Sequence, residues 1–162
     1  MIVVADAGPL HYLVLIGSVD LLETLYDRAA IPRAVAFELQ QTATPVVVRQ
    51  WITNLPDWCV IHPDPLFDHE LDFLGPGERS AIGLAISLHA DRLLIDDQAG
   101  RAEARRRQLS ITGTLGVLAE AHRRNLVDFE SAIVRLRQTS FYLDSELLDV
   151  VRRQIVSPRG EL

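Results

Sequence analysis

Apolar residues along this chain fall into two interleaved patterns. Short apolar runs at 2–5, 29–31, 59–61, 92–95 and 109–111 have the length of buried strands. Between them, apolar residues recur at helical spacing. That spacing predicts helices over 9–16, 21–26, 32–41, 45–54, 78–89, 98–107, 115–124, 128–138 and 145–155. Pro9 and Pro32 suit first helical turns, Gly17 stops a helix, and Asp20 caps the next. The stretch 62–68, rich in proline and aspartate, reads as a loop, and Gly75-Pro76-Gly77 as a breaker. Strands alternating with helices predict an α/β fold with a parallel sheet. No repeat or linker divides the chain. A single domain over 1–162 is expected, with the last two helices, about 128–155, as a C-terminal extension.

Two of the apolar runs end on aspartate. Ile2-Val3-Val4-Ala5 leads into Asp6, and Leu93-Leu94-Ile95 into Asp96-Asp97. In open parallel sheets, ligands bind beyond the carboxyl ends of strands, where strand order reverses. Carboxylates gathered there repel one another unless a cation lies between them. Each acid also has a structural reading. Asp6 and Asp97 stand where helix caps stand, and Glu78 lies in a first helical turn, where it complements the helix dipole. Glu38 is harder to explain that way. It follows Val35 by three residues and borders the apolar stripe, as Glu78 does with Ala81, Ile82 and Ala85. Carboxylates turned toward a core are costly unless paired or bound to metal.

Composition narrows the chemistry. Hydrophobic residues make up 48% and charged residues 23% of 162, which excludes a disordered chain. Net charge is −6, so a general basic surface for nucleic acid is absent. All 16 basic residues are arginine. A P-loop, a protein kinase, a Schiff-base enzyme and a receiver-type phosphoacceptor site each call for a lysine, and none is present. Cys59 is the only cysteine, so neither an internal disulfide nor a cysteine zinc site is available. The five histidines lack metal spacing. No secretory signal or spanning segment is read, and a cytoplasmic protein without a membrane partner is expected.

Five short motifs occur in order: Val3-Val4-Ala5-Asp6-Ala7-Gly8-Pro9-Leu10; Ile31-Pro32 with Glu38; Gly77-Glu78-Arg79-Ser80-Ala81-Ile82; Leu94-Ile95-Asp96-Asp97 with Gly100-Arg101; and Thr112-Gly113-Thr114-Leu115-Gly116. In this order they resemble the PIN-domain family of metal-dependent ribonucleases, and most of all its subgroup similar to VapC toxins. The resemblance extends to about Arg124. It implies a three-layer α/β/α fold around a central parallel sheet of four to five strands. It also implies that Asp6, Glu38, Glu78 and Asp97 are the catalytic acids. Asp6, Glu78 and one of Asp96 or Asp97 would be metal ligands, since neighbouring strand residues face opposite ways. Two positions depart from the family's pattern. Gly8 stands where relatives often have serine or asparagine, and Thr112 and Thr114 stand where many carry a further acid.

The resemblance implies Mg²⁺ or Mn²⁺ as cofactor, in keeping with hard oxygen ligands. The implied reaction is hydrolysis of RNA phosphodiester bonds by a toxin held inactive by a cognate antitoxin protein. Arg101, Thr112 and Thr114 are the candidate substrate contacts, with Arg105, Arg106 and Arg107 behind them. Arg107 can equally pair with Glu103 four residues away. Leu136, Phe141, Leu147, Leu148 and Val151 offer an apolar groove for the antitoxin or a homodimer face. The aromatic residues Trp51, Trp58, Phe67, Phe73 and Phe141 read as core or partner surface. A non-enzymatic scaffold binding RNA or protein is the alternative, favoured by Gly8 and Thr114. A phosphatase lacks the second aspartate two residues after Asp6.

Overall fold

The computed structural model describes residues 1–156. Five parallel strands form one sheet: β1 (Ile2–Ala5), β2 (Arg28–Pro32), β3 (Cys59–His62), β4 (Arg92–Leu94) and β5 (Ile111–Thr112). Their order across the sheet is β3-β2-β1-β4-β5. The chain therefore builds outward from β1 in one direction, then returns to β1 and builds outward in the other. Order reverses between β1 and β4, and the register Ala5↔Leu94 brings their ends level. A crevice opens at such a reversal because the connections on either side leave in opposite directions.

Helices cover both faces, which is why the strands read as unbroken apolar runs. Val3, Ala5, Ala29, Ile31, Cys59 and Leu94 face one core. That core is closed by α1 (Ala7–Leu15), α2 (Leu21–Tyr26), α3 (Arg33–Leu39), α4 (Val46–Thr53), α7 (Thr114–Arg123), α8 (Phe129–Arg137) and α9 (Ser145–Val156). Val4, Ala30, Leu93 and Ile95 face a second, smaller core under α5 (Pro76–Ser87) and α6 (Gln98–Arg106). The result is the expected three-layer α/β/α arrangement with five strands.

Local differences from the sequence expectation have simple causes. Helix α1 begins at Ala7, directly after Asp6, because Pro9 fits its third position, where the backbone N–H has no helical partner to lose. Gly75-Pro76-Gly77 is a helix start instead of a breaker: Gly75 is the N-cap and Pro76 the first helical residue. Strand β5 is displaced to Ile111–Thr112, because the Leu109 N–H closes α6 by bonding to Ala104 O. The residues expected to form a partner groove in the last helices mostly lie in the core. Leu136, Leu148 and Val151 are buried and Phe141 packs against them, which leaves only Leu147 of that set exposed. The expected unit runs to residue 162, beyond the described residues. Among the described residues, no helix is long and apolar enough to cross a membrane.

Candidate functional site

Asp6 follows β1 as the N-cap of α1 and stands at the strand-order reversal, with its backbone N–H bonded to Leu94 O at 2.9 Å. Its side chain is 3% exposed, and its Oδ1 has no hydrogen-bond partner. Burial pushes its carboxyl up to about 8. The negative charge of Glu78 adds to this, then those of Glu38 and Asp96, against a partial opposing pull from the Ala7 backbone N–H.

Two helices bring further acids to this point. On α3, Val35, Ala36 and Leu39 face the core, and Glu38 on the border of that face reaches over the start of α5. Gly77 makes this possible. A Cβ at that position would lie 2.7 Å from Glu38 Oε2 and 3.3 Å from Asp6 Oδ1. The two carboxylates thus share a space that any larger residue would enter. Glu38 is exposed as a whole residue, yet burial at its carboxyl and the charge of Glu78 hold it above the usual range. Glu78, one residue after Gly77, folds back so that its Oε2 lies 2.6 Å from where a Gly75 Cβ would stand.

Asp96 and Asp97 differ in their hydrogen bonds. Asp96 is clamped at the start of α7: the Thr114 N–H donates to its Oδ1 at 2.7 Å and the Thr114 hydroxyl to its Oδ2 at 2.6 Å. Its Oδ2 lies 3.6 Å from a Cβ built on Gly8, so it borders the first helix of the site. Burial raises its carboxyl, and the two Thr114 bonds and the charge of Arg101 pull it part of the way back. Asp97 is exposed, and its carboxylate accepts the Gly100 N–H at 2.7 Å as the N-cap of α6. Asp97, expected as a catalytic acid and ligand, thus stands at the exposed cap of α6, while Asp96 is the one of the pair whose charge acts on Asp6. Consecutive residues leaving β4 point apart, and the first turn of α6 takes the outward one.

The other expected contacts divide similarly. Thr114 is fully buried in the site. Thr112 is directed elsewhere, because its hydroxyl accepts from the Arg92 guanidinium at 2.7 Å. Arg101 donates to Ile95 O at 2.8 Å, and its guanidinium borders Gly113 beside Asp96 Oδ1. It braces the end of β4 from within the site. Arg106 and Arg107 grip Glu103, and Arg107 also holds Asp68 at 3.0 Å. The role of Thr114 as a two-point clamp was the part least visible in the sequence. Its signal was a hydroxyl residue opening a helix directly after β5.

Whether these residues suit a divalent cation rests on their chemistry. Among the described residues, no three acidic, histidine or cysteine side chains stand in ligating arrangement. The oxygen set nonetheless fits a hard cation. A buried carboxylate oxygen without a partner, pushed toward protonation by burial and by three neighbouring acids, is what a bound cation would relieve.

A family model described as PIN domain matches residues 2–157. A search of curated proteins finds no match.

Proposed function

The chain belongs to the PIN-domain family, whose members are generally nucleases, and from that premise we propose that it is a metal-dependent ribonuclease, the toxin of a toxin–antitoxin pair. The observation that carries the metal-dependent reading is the unpartnered Oδ1 of Asp6 among Glu38, Glu78 and Asp96. The toxin role rests on the resemblance of the five motifs to VapC toxins, with a small antitoxin protein as partner.

In this reading Asp6 and Asp96 hold the cation directly, and Glu38 and Glu78 complete its surroundings. Mg²⁺ or Mn²⁺ supplies positive charge that neutralises the acids and stabilises charge developing on the scissile phosphate. Thr114 keeps both oxygens of Asp96 oriented. Glu38, with its carboxyl held above the usual range, is suited to take a proton from an attacking water. Arg101 fixes the loop after β4, so that Asp96 stays turned toward Asp6.

Incubation of the protein with single-stranded RNA tests this, in Mn²⁺ or EDTA and beside Asp6→Asn. Cleavage in Mn²⁺ alone, lost in the variant, is expected. Cleavage indifferent to EDTA or to Asp6→Asn would contradict the assignment. One observation favours the weaker-scaffold reading, namely that no three acids stand in ligating arrangement among the described residues. RNA binding without cleavage at any Mn²⁺ concentration is the outcome that selects it.

A further inference from the structure

The helices that carry the acids also wall a second feature. Ala34, one turn before Glu38 on α3, and Pro76, Arg79 and Ser80, flanking Glu78 on α5, line a cavity of about 220 Å³ closed by the loop before α5. Resting on the nuclease reading above, we propose that this cavity is a nucleobase subsite for the RNA, with Phe67 as its stacking face and Arg79 and Ser80 as its polar contacts.

Three observations carry this. The first is composition. Phe67 is 53% exposed, and the Arg79 guanidinium carbon lies 4.8 Å from its ring centroid. Aromatic rings and guanidinium planes are the surfaces on which unpaired RNA bases stack, and the Phe67 ring, met edge-to-face by His69 at 4.8 Å, still leaves about half of the residue open to solvent. The polar groups are available to a ligand. Apart from its contact with the Phe67 ring, Arg79 makes one loose ion pair, to Asp72 at 3.6 Å, and the Ser80 hydroxyl has no hydrogen bond among the described residues.

The second observation is that the walls are fixed. Pro65 packs so closely on α5 that a Cβ at Gly83 would lie 2.7 Å from its Cγ. Asp64 accepts the Ala34 N–H at 2.9 Å, and Arg107 holds Asp68 from α6. A preformed cavity loses little on binding. The third is size. The volume lies below the roughly 300–1,000 Å³ of ordinary small-molecule sites. A volume of this size is enough for one ring system and too small for a helix from a protein partner. The cavity and two of the acids share helices, since Ala34 lies on α3 with Glu38 and Ser80 on α5 with Glu78.

Binding of a short single-stranded RNA, followed by fluorescence anisotropy in an Asp6→Asn background that cannot cut, tests the proposal. An abasic oligomer of the same length is the comparison. Phe67→Ala should weaken binding of the base-bearing RNA roughly tenfold, the loss of one aromatic–base stack. Binding of the abasic strand should not change, and Phe67→Trp should restore affinity. Unchanged binding of the base-bearing RNA by Phe67→Ala, or equal loss for both oligomers, would overturn the subsite. The two proposals fail separately. Mn²⁺-dependent cleavage together with Phe67-independent binding removes the subsite alone. Base-dependent binding lost in Phe67→Ala, without any cleavage by the unsubstituted protein, keeps the subsite and removes the nuclease.

Discussion

Asp6 couples the site to the stability of the fold. Its carboxyl stands at about 8 in the folded chain against an ordinary 3.8. Because the folded value is the higher one, its contribution to stability is complete below the ordinary value and is lost as pH rises through the folded one. In EDTA, thermal midpoints should therefore fall from about pH 4 to pH 8 relative to Asp6→Asn, and Mn²⁺ should reverse the fall. Parallel curves for the two proteins would contradict this. Gly77 makes a second point at this scale. Gly77→Ala would drive a methyl into the space of Glu38 Oε2, while alanine favours the helix by about 1 kcal/mol. The expected result is a roughly tenfold loss of Mn²⁺ affinity in a titration. The melting temperature should hold or rise. Thr114→Val removes one of two donors to Asp96 inside a fully buried pocket, at a cost of about 1–3 kcal/mol. It also lets the Asp96 carboxyl rise further, so Mn²⁺ binding should weaken more at pH 6 than at pH 8.

At the scale of elements, helix starts position the site. Helix α1 begins immediately after Asp6, α5 at Pro76 beside Gly77, and α7 at Thr114. Much of this was legible in the sequence, because apolar runs ending in aspartate and prolines opening helices are local signals. The division of labour between Asp96 and Asp97 was not legible, because both follow the same strand. Only the direction in which α6 leaves decides which carboxylate caps it. Glu38 was legible as an anomaly on its helix. Its partner Gly77 was not, since the meeting of α3 with α5 is a tertiary contact. Arg107 similarly looked like a helix-surface pair with Glu103, and the structure adds its reach to Asp68. Replacing Arg107 with methionine should speed amide hydrogen exchange over 68–74 and leave β1 and β4 protected. Unchanged exchange there would show that the loop is held by packing alone.

At the scale of the whole molecule, the reversal of strand order places the site between two packed cores on either face of the sheet. Helices α8 and α9 belong to the larger core: Leu148 is 2% exposed and packs with Leu136 and Val151. An appended extension would melt separately. Leu148→Ala should instead lower the midpoint of one cooperative transition, by about 2–4 kcal/mol in unfolding free energy. A separate early transition in calorimetry would contradict that.

A bound divalent cation would relieve the crowded carboxylates around Asp6. Isothermal titration of Mn²⁺ into EDTA-stripped protein at pH 7 tests it most directly. Saturable binding is expected, accompanied by proton release and lost in Asp6→Asn. Absence of binding, or identical binding by Asp6→Asn, would contradict it.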